Sequence, residues 1–396
     1  MASITKRTKI DKETGKEIVL HWRAQDIING KRVEFTGKTK KIVETKLENY
    51  RLQFHTYGNI LSDENYTVSE WTYKHLFTIK IHEVSVGTFD LYVMVYNKYI
   101  KPSVLGNTPL LNVTQMQVQE FLNTQSHLAH STIKKSYLVL SAAFESAIRN
   151  NLIRVNPAKG VVVPNKKKPK REIEILTKEQ QRDYILATEK EPHRLLFLTA
   201  LFTGLRQGEL LALRWQNVNL KTGIIKVCES IRSYNEYDTE GNSEKKLITK
   251  EPKTRSGIRE VPIPSFLIEE LSNIKPKGAV KEIASRYVFE TPNGRNLSAR
   301  TIIGVHKRLC NHAKINPVTT YINGKEHISY RGINFHALRH TFTTRMIESG
   351  ESIKTIQVLL GHADIQTTMN IYAHVLQETK IASADRQNAL YSELIG

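Results

Sequence analysis

Residues 161–174, VVVPNKKKPKREIE, set the strongest limit on what this 396-residue chain can fold into. Pro164 and Pro169 each fix φ and remove a backbone donor. Between and after them, Lys166, Lys167, Lys168, Lys170 and Arg171 crowd like charges that repel and extend the segment. No packed core runs through such a stretch, so the fold has to be assembled from separate units on its two sides, as the length also suggests. The segment itself reads as a basic linker: a solvated hinge, or a row of cations tracking a phosphate backbone.

The two sides differ in character. Upstream, 66–160 reads as helices and little else. The segments 68–81, 88–100, 114–123 and 131–151 carry apolar residues at helical spacing, with Ser131 as N-cap of the last and Asn156-Pro157 closing the unit. Before that, 1–60 forms a small unit of its own. VLHWRAQDII (19–28) and KRVEFTG (31–37) have strand composition around an Asn29-Gly30 turn, and 40–54 reads as a helix with Ile42, Leu47, Tyr50 and Leu52 as its apolar positions. A two-stranded ribbon fits a major groove, which makes Lys31 and Arg32 candidate DNA contacts, along with Lys134 and Lys135 on the 131–151 helix. The alternative is an oligomerisation or folding unit with a solvated basic face, and the net positive charge favours the DNA reading.

Downstream, 175–396 is mixed. Helices are expected at 177–188, 192–203, 206–214, 265–273, 298–314, 336–349, 353–361 and 365–373. One small antiparallel sheet is expected from 224–232, 245–250 and 258–263. The fold class is therefore mainly α with small β-sheets, in several domains.

Charge narrows the partners. A formal net charge of +19 points to a polyanion, nucleic acid before an acidic membrane surface. The N-terminal residues are polar, without the apolar stretch of a signal peptide, and no run of eighteen or more apolar residues occurs, so no membrane span and a cytoplasmic setting are expected. Cys228 and Cys310 stand far apart without a partner motif, which argues against a disulfide framework or a cysteine-based zinc site.

Four segments carry chemistry. In TGLRQGELLALRW (203–215), Arg206 and Glu209 sit one helical turn apart, either a surface ion pair or a carboxylate orienting a phosphate-binding guanidinium. KEPKTRSGIREVPIP (250–264) reads as a hairpin turning near Ser256-Gly257, with Lys253 just before the turn. FHALRHTFTTRMIESG (335–350) places His336 and Arg339 on one face at a helix start, where an anion is favoured, while His340 and Arg345 read as structural. His336 and His340 have the spacing of a zinc pair but lack a general-base glutamate and a third ligand, so no metal is expected. IKTIQVLLGHADIQTTMNIYAHV (353–375) sets His362 in a turn after Gly361 and Tyr372 on the next helix. Each residue alone has an ordinary structural reading.

Together, TGLRQGEL, PKTRSG, HALRH, LLGH and NIYAH closely resemble the tyrosine recombinase family of phage and conjugative-element integrases. The resemblance covers 175–375 with specific motifs and extends more weakly over 66–156. It implies a catalytic domain at 175–396 with a C-terminal tail that packs on a neighbouring protomer, a helical core-binding domain at 66–160, the linker at 161–174 and an arm-type DNA-binding domain at 1–60. It implies a phosphate-activating set of Arg206, Lys253, His336, Arg339 and His362, supported by Glu209, and Tyr372 as the nucleophile that makes a 3′-phosphotyrosine. It implies no cofactor and no metal. The expected partners are double-stranded DNA at core and arm attachment sites, a homo-tetramer exchanging strands through a Holliday junction, a host DNA-bending protein and an excision factor. A type IB topoisomerase would use much the same residues but needs no second DNA-binding unit; a non-catalytic DNA-binding protein would keep the charge but not all six residues.

Overall fold

The computed structural model describes residues 2–11, 17–28, 30–57, 64–165, 173–251, 255–322, 325–369, 371, 387–388 and 391–395. The chain divides into two compact units, 1–168 with 235–244, and 169–234 with 245–396.

The first unit holds two cores. The N-terminal one is a three-stranded antiparallel sheet, β1 (Ser3–Ile10), β2 (Glu17–Ile28) and β3 (Lys31–Gly37), in the order β1-β2-β3, with helix α1 (Lys40–Tyr57) on one face. Gly30, at φ +74°, takes the left-handed turn between β2 and β3, and Ile28 pairs with Lys31 as the Asn-Gly signal requires. β1 was not foreseen, because only its Ile4 packs towards the core and the rest of the strand reads as polar. Two expected apolar positions of α1 are corrected: Ile42 and Leu52 are exposed, and Val43 and Leu47, one turn apart, enter the core with Ala24.

The second core of this unit is helical. α2 (Val68–His75), a π-helical turn (Leu76–Lys80) and α3 (Ile81–Glu83) run on as one rod, followed by α4 (Val86–Val95) with its own π turn (Tyr96–Ile100), α5 (Gln115–Thr124) and α6 (His130–Arg149). Thr67 and Glu70, and Thr114 and Gln117, close reciprocal capping boxes at the starts of α2 and α5. The expected cap at Ser131 is wrong. α6 begins at His130, and the Ala129 carbonyl accepts from Thr132 and Ile133, with burial of Ile133, Leu140, Phe144 and Ala147 fixing the helix register. The core also continues past Asn156-Pro157, since Ala158 is fully buried and Val161 and Val163 pack against it.

The second unit contains α7 (Lys178–Ala187), α8 (Arg194–Thr203), α9 (Gln207–Ala212), β4 (Val218–Asn219), β5 (Ile224–Val227), β6 (Ser230–Tyr237), β7 (Ser243–Lys250), β8 (Arg259–Pro262), α10 (Ser265–Ile274), α11 (Val280–Ser285), α12 (Ala299–His312), β9 (Pro317–Ile322), β10 (Lys325–Tyr330), α13 (His336–Glu348) and α14 (Ile353–Leu360), with the tip of β6 and β7 counted in the first unit. The apolar α8 is wrapped by its neighbours, and Phe197, Leu198 and Leu201 are buried in the largest core cluster.

The single expected sheet is in fact several. β5 pairs with β4 and β8, whereas β7 pairs with β6, so 245–250 and 258–263 are not partners across a hairpin. The inward alternation of Ile225 and Val227 matches Val261 and Arg259 across the ladder, so burial pairs β5 with β8. The separate β9–β10 ribbon was not foreseen.

Candidate active site

Gly204 ends α8 at φ +63°, where a Cβ would lie 2.4 Å from Phe342 Cδ1, so only glycine makes this turn. The turn delivers Arg206 to the start of α9. Its Nη1 donates to Glu209 Oε1 at 2.8 Å and its backbone N–H to Glu209 Oε2 at 2.9 Å, so one carboxylate both caps the helix and holds the side chain. Arg206 Nη2 lies 3.3 Å from the Gly361 carbonyl. Glu209 is 6% exposed. Burial would raise its pKa, but Arg259 and then Arg206 outweigh that and hold it at about 2.

Arg339, 2% exposed on the first turn of α13, spans two helix ends. Its Nη1 donates to Gly204 O at 2.7 Å and its Nη2 to Leu360 O at 2.6 Å. Burial and the neighbouring Arg206 lower its pKa to about 9, which leaves it charged at neutral pH. His336 is exposed at the start of the same helix, its ring edge-on to His340 with centroids 4.7 Å apart. Desolvation of the ring, then the charges of His340, Arg339 and Arg206, hold His336 at about 4, so it is neutral at physiological pH.

Gly361, at φ +63°, ends α14 and turns the chain into His362. His362 Nδ1 lies 3.0 Å from Thr368 Oγ1, and desolvation followed by Arg339 and Arg206 lowers its pKa to about 3. Two cavities of about 380 and 450 Å³ open beside these groups, sharing Arg206 and Arg232. The first reaches Tyr234, Lys250 and Gly361; the second reaches His336.

The structure thus brings Arg206, Glu209, His336, Arg339 and His362 to one place. Lys253 and Tyr372 lie outside the described residues, as do Lys166, Lys167, Lys168, Lys170 and Arg171. Of the other candidate DNA contacts, Arg32 is exposed with Nη2 2.7 Å from Gln25 Oε1, Lys134 is exposed and Lys135 half-buried; for Lys31 the strand backbone is described and the side chain is not. Arg345, read as structural, ties α13 to Leu176 O and Gln181 and pairs with Glu348 one turn on in the same helix. Among the described residues no group of three or more His, Cys, Asp or Glu side chains could hold a metal ion, and no helix is long and apolar enough to cross a membrane.

Sequence reasoning missed Arg259. This β8 side chain is almost fully buried and forks onto Glu209, with Nη1 3.1 Å from Oε1 and Nη2 2.8 Å from Oε2. One signal was available: Arg259 stands in phase with the inward Val261 and Ile263, so an arginine occupies a core position and demands a buried partner.

Guanidinium groups anchored on backbone carbonyls, beside neutral imidazoles at a cleft, form a site suited to an anionic phosphorus centre. The Phage integrase family model matches residues 169–379. A tyrosine recombinase XerC-like protein of Caldanaerobacter subterraneus subsp. tengcongensis is 32% identical over 409 residues, covering 99% of this chain and 100% of that protein. Among solved structures, the Tn1549 transposon integrase in complex with a circular intermediate DNA matches with a TM-score of 0.60 at 23% identity, covering 80% of this chain and 99% of that one. A lambda integrase tetramer bound to a Holliday junction matches with a TM-score of 0.54 at 20% identity, covering 90% and 95%. The chain belongs to the phage integrase family, the tyrosine recombinases, and is a DNA strand-transferring enzyme.

Proposed function

We propose that the chain is the site-specific recombinase of a mobile element, cutting and rejoining DNA through a 3′-phosphotyrosine on Tyr372. The observation that carries this reading is the convergence of Arg206, Arg339, His336 and His362, with Arg206 at the edge of both cavities and His336 lining the second. A phosphodiester repels nucleophiles, and guanidinium forks on its non-bridging oxygens stabilise the charge that builds in the transition state. The Tyr372 oxygen attacks phosphorus, the bond from phosphorus to the 5′ oxygen breaks, and the DNA 3′ end is left esterified to the tyrosine. His336 is the base that takes the phenolic proton: it is neutral before the phosphate arrives, and the arriving negative charge raises its proton affinity. Lys253 gives a proton to the leaving 5′ oxygen. His362 Nδ1 lies 3.0 Å from the Thr368 hydroxyl; in the tautomer with Nδ1 accepting there, the Nε2–H donates a hydrogen bond to a non-bridging oxygen. The ester retains the bond energy, so a 5′-hydroxyl from another duplex can reverse the step and join new partners.

The exposed Lys6, Arg7, Lys9 and Arg32 on the N-terminal sheet support arm-site DNA binding by residues 1–60. Residues 66–160 serve as the core-binding domain, 161–174 as the linker and 175–396 as the catalytic domain. Assembly as a tetramer that exchanges strands through a Holliday junction, with the tail after Tyr372 packing on a neighbouring protomer, follows the family pattern, as does help from a DNA-bending protein and an excision factor.

The test is covalent trapping. Wild-type protein incubated with a nicked cognate site gives an SDS-stable protein–DNA adduct, and Tyr372→Phe gives none. No wild-type adduct, or an adduct that survives the substitution, refutes the mechanism.

A further inference from the structure

We infer that Arg259 is a positioning residue that neutralises Glu209 and so leaves the charge of Arg206 available to the substrate phosphate. The inference rests on Arg206 being a phosphate-binding group. Glu209 lies between two guanidiniums that it does not hold equally. Arg259 grips both carboxylate oxygens with its two Nη atoms, at 3.1 and 2.8 Å, and its side chain is 3% exposed. Arg206 meets a single oxygen through Nη1, and its side chain is 32% exposed at the edge of both cavities.

Bidentate, desolvated pairing is the stronger arrangement. The Glu209–Arg259 pair is therefore the neutral unit, and Arg206 leans on it without being cancelled by it. Without Arg259, the buried carboxylate would turn to Arg206, its nearest remaining cation, and hold the guanidinium back from the phosphate. The other bonds of Arg259 fix its place: Nε donates to Leu359 O at 2.6 Å, and Nη1 lies 3.3 Å from Gly257 O. A Cβ on Gly361 would sit 3.1 Å from the same Nη1, so the turn into His362 is built against this side chain. One guanidinium thus connects the Glu209 carboxylate, the turn at Gly257 and the end of α14.

The experiment compares Arg259→Gln, Arg259→Gln with Glu209→Gln, and Arg259→Lys in single-turnover cleavage of a nicked cognate site, with DNA affinity and thermal melting measured alongside. Arg259→Gln should cleave about 10²-fold more slowly at an affinity within about threefold of wild type. Adding Glu209→Gln removes the uncompensated carboxylate but keeps an acceptor for Arg206, and should restore the rate by about tenfold or more over Arg259→Gln. Arg259→Lys keeps the charge without the fork and should fall between wild type and Arg259→Gln. The pH profile gives a second readout. In Arg259→Gln, Glu209 loses its main cation and protonates more readily, so the rate relative to wild type should rise as the pH is lowered. A merely structural arginine predicts a double variant no faster than the single one, and that result overturns the inference, as does wild-type cleavage by Arg259→Gln. If Arg259→Gln does not fold, the double variant is compared directly with wild type: a rate within about thirtyfold supports the inference and a slower one overturns it. A wild-type protein that forms no adduct refutes the proposed reaction instead, so the two failures are distinguishable.

Discussion

Arg339→Lys separates charge from geometry. The native guanidinium reaches two carbonyls that belong to different helix ends, Gly204 O at 2.7 Å and Leu360 O at 2.6 Å. A lysine keeps the positive charge but ends in one compact ammonium that cannot span both. One buried carbonyl is left without its donor, which costs about 1–3 kcal/mol of stability. The effect on chemistry is larger in proportion. On the proposed reading the guanidinium, held by those two carbonyls, turns its remaining N–H groups to the phosphate, and deleting one such donor typically lowers a rate by about 10²–10³-fold, or about 2.7–4 kcal/mol. Attraction to DNA depends on charge, which is conserved, so affinity and its salt dependence should change little. The assay is single-turnover cleavage of a nicked site at saturating protein, with affinity measured separately over a range of salt. Cleavage within about threefold of wild type would refute the argument that the fork matters, since charge alone would then be sufficient.

Two further predictions follow from the same unit and from the cores. Gly204→Ala places a methyl 2.4 Å from Phe342 Cδ1 at a φ of +63°, so denaturant unfolding should reveal a loss of about 2–5 kcal/mol from left-handed strain and overpacking combined; a loss below about 0.5 kcal/mol would contradict it. Acid should destabilise both units, because burial lowers His75 and His306 from 6.5 to about 4: their stabilising contribution is present above the unfolded value of 6.5 and is lost as pH falls through about 4. Each histidine corresponds to about 3 kcal/mol over that window, and a melting temperature that stays flat between those two pH values would count against the assignment.

Much of this was legible because the signals were local. The helices followed from apolar spacing, and Asn29-Gly30 announced the β2–β3 turn that Gly30 makes at φ +74°. Arg206, His336, Arg339 and His362 were readable from three short motifs, TGLRQGEL, HALRH and LLGH, and the structure brings them together. What failed was long-range. The pairing of Val227 with Arg259 cannot be seen from either strand alone, and a hairpin across Ser256-Gly257 was the simpler reading of the sequence. β1 was missed because a sheet with one wetted face can have a strand that is almost entirely polar. β9–β10 was missed although its sequence carries Asn323-Gly324, because Pro317–Thr320 and Glu326–Ser329 are exposed and build no apolar alternation. Arg259 was missed for a physical reason: a buried arginine is recognised by its partner, and Glu209 had already been paired with Arg206.

On the proposed reading, the site meets a general difficulty in recognising phosphate. A protein that buries arginines must satisfy them, but satisfying them with carboxylates cancels the charge the substrate needs. Here the partners are mostly backbone carbonyls at helix C-termini. Arg339 takes Gly204 O at the end of α8 and Leu360 O at the end of α14, Arg259 takes Leu359 O, and Arg206 approaches Gly361 O. These are groups left without intrahelical partners, at the end of the helix dipole that favours a cation. The glycines at 204 and 361, both left-handed, turn the chain away at those ends. The carboxylate hydrogen-bonded to this group is Glu209, and Arg259 occupies both of its oxygens. Of the three arginines and one glutamate, two positive charges are therefore uncancelled before substrate arrives, held by dipoles that need not reorganise when a phosphate enters. The cost appears in the neighbours: His336 and His362 are held neutral at about 4 and about 3, the state in which one can accept a proton and the other can donate a hydrogen bond without adding charge.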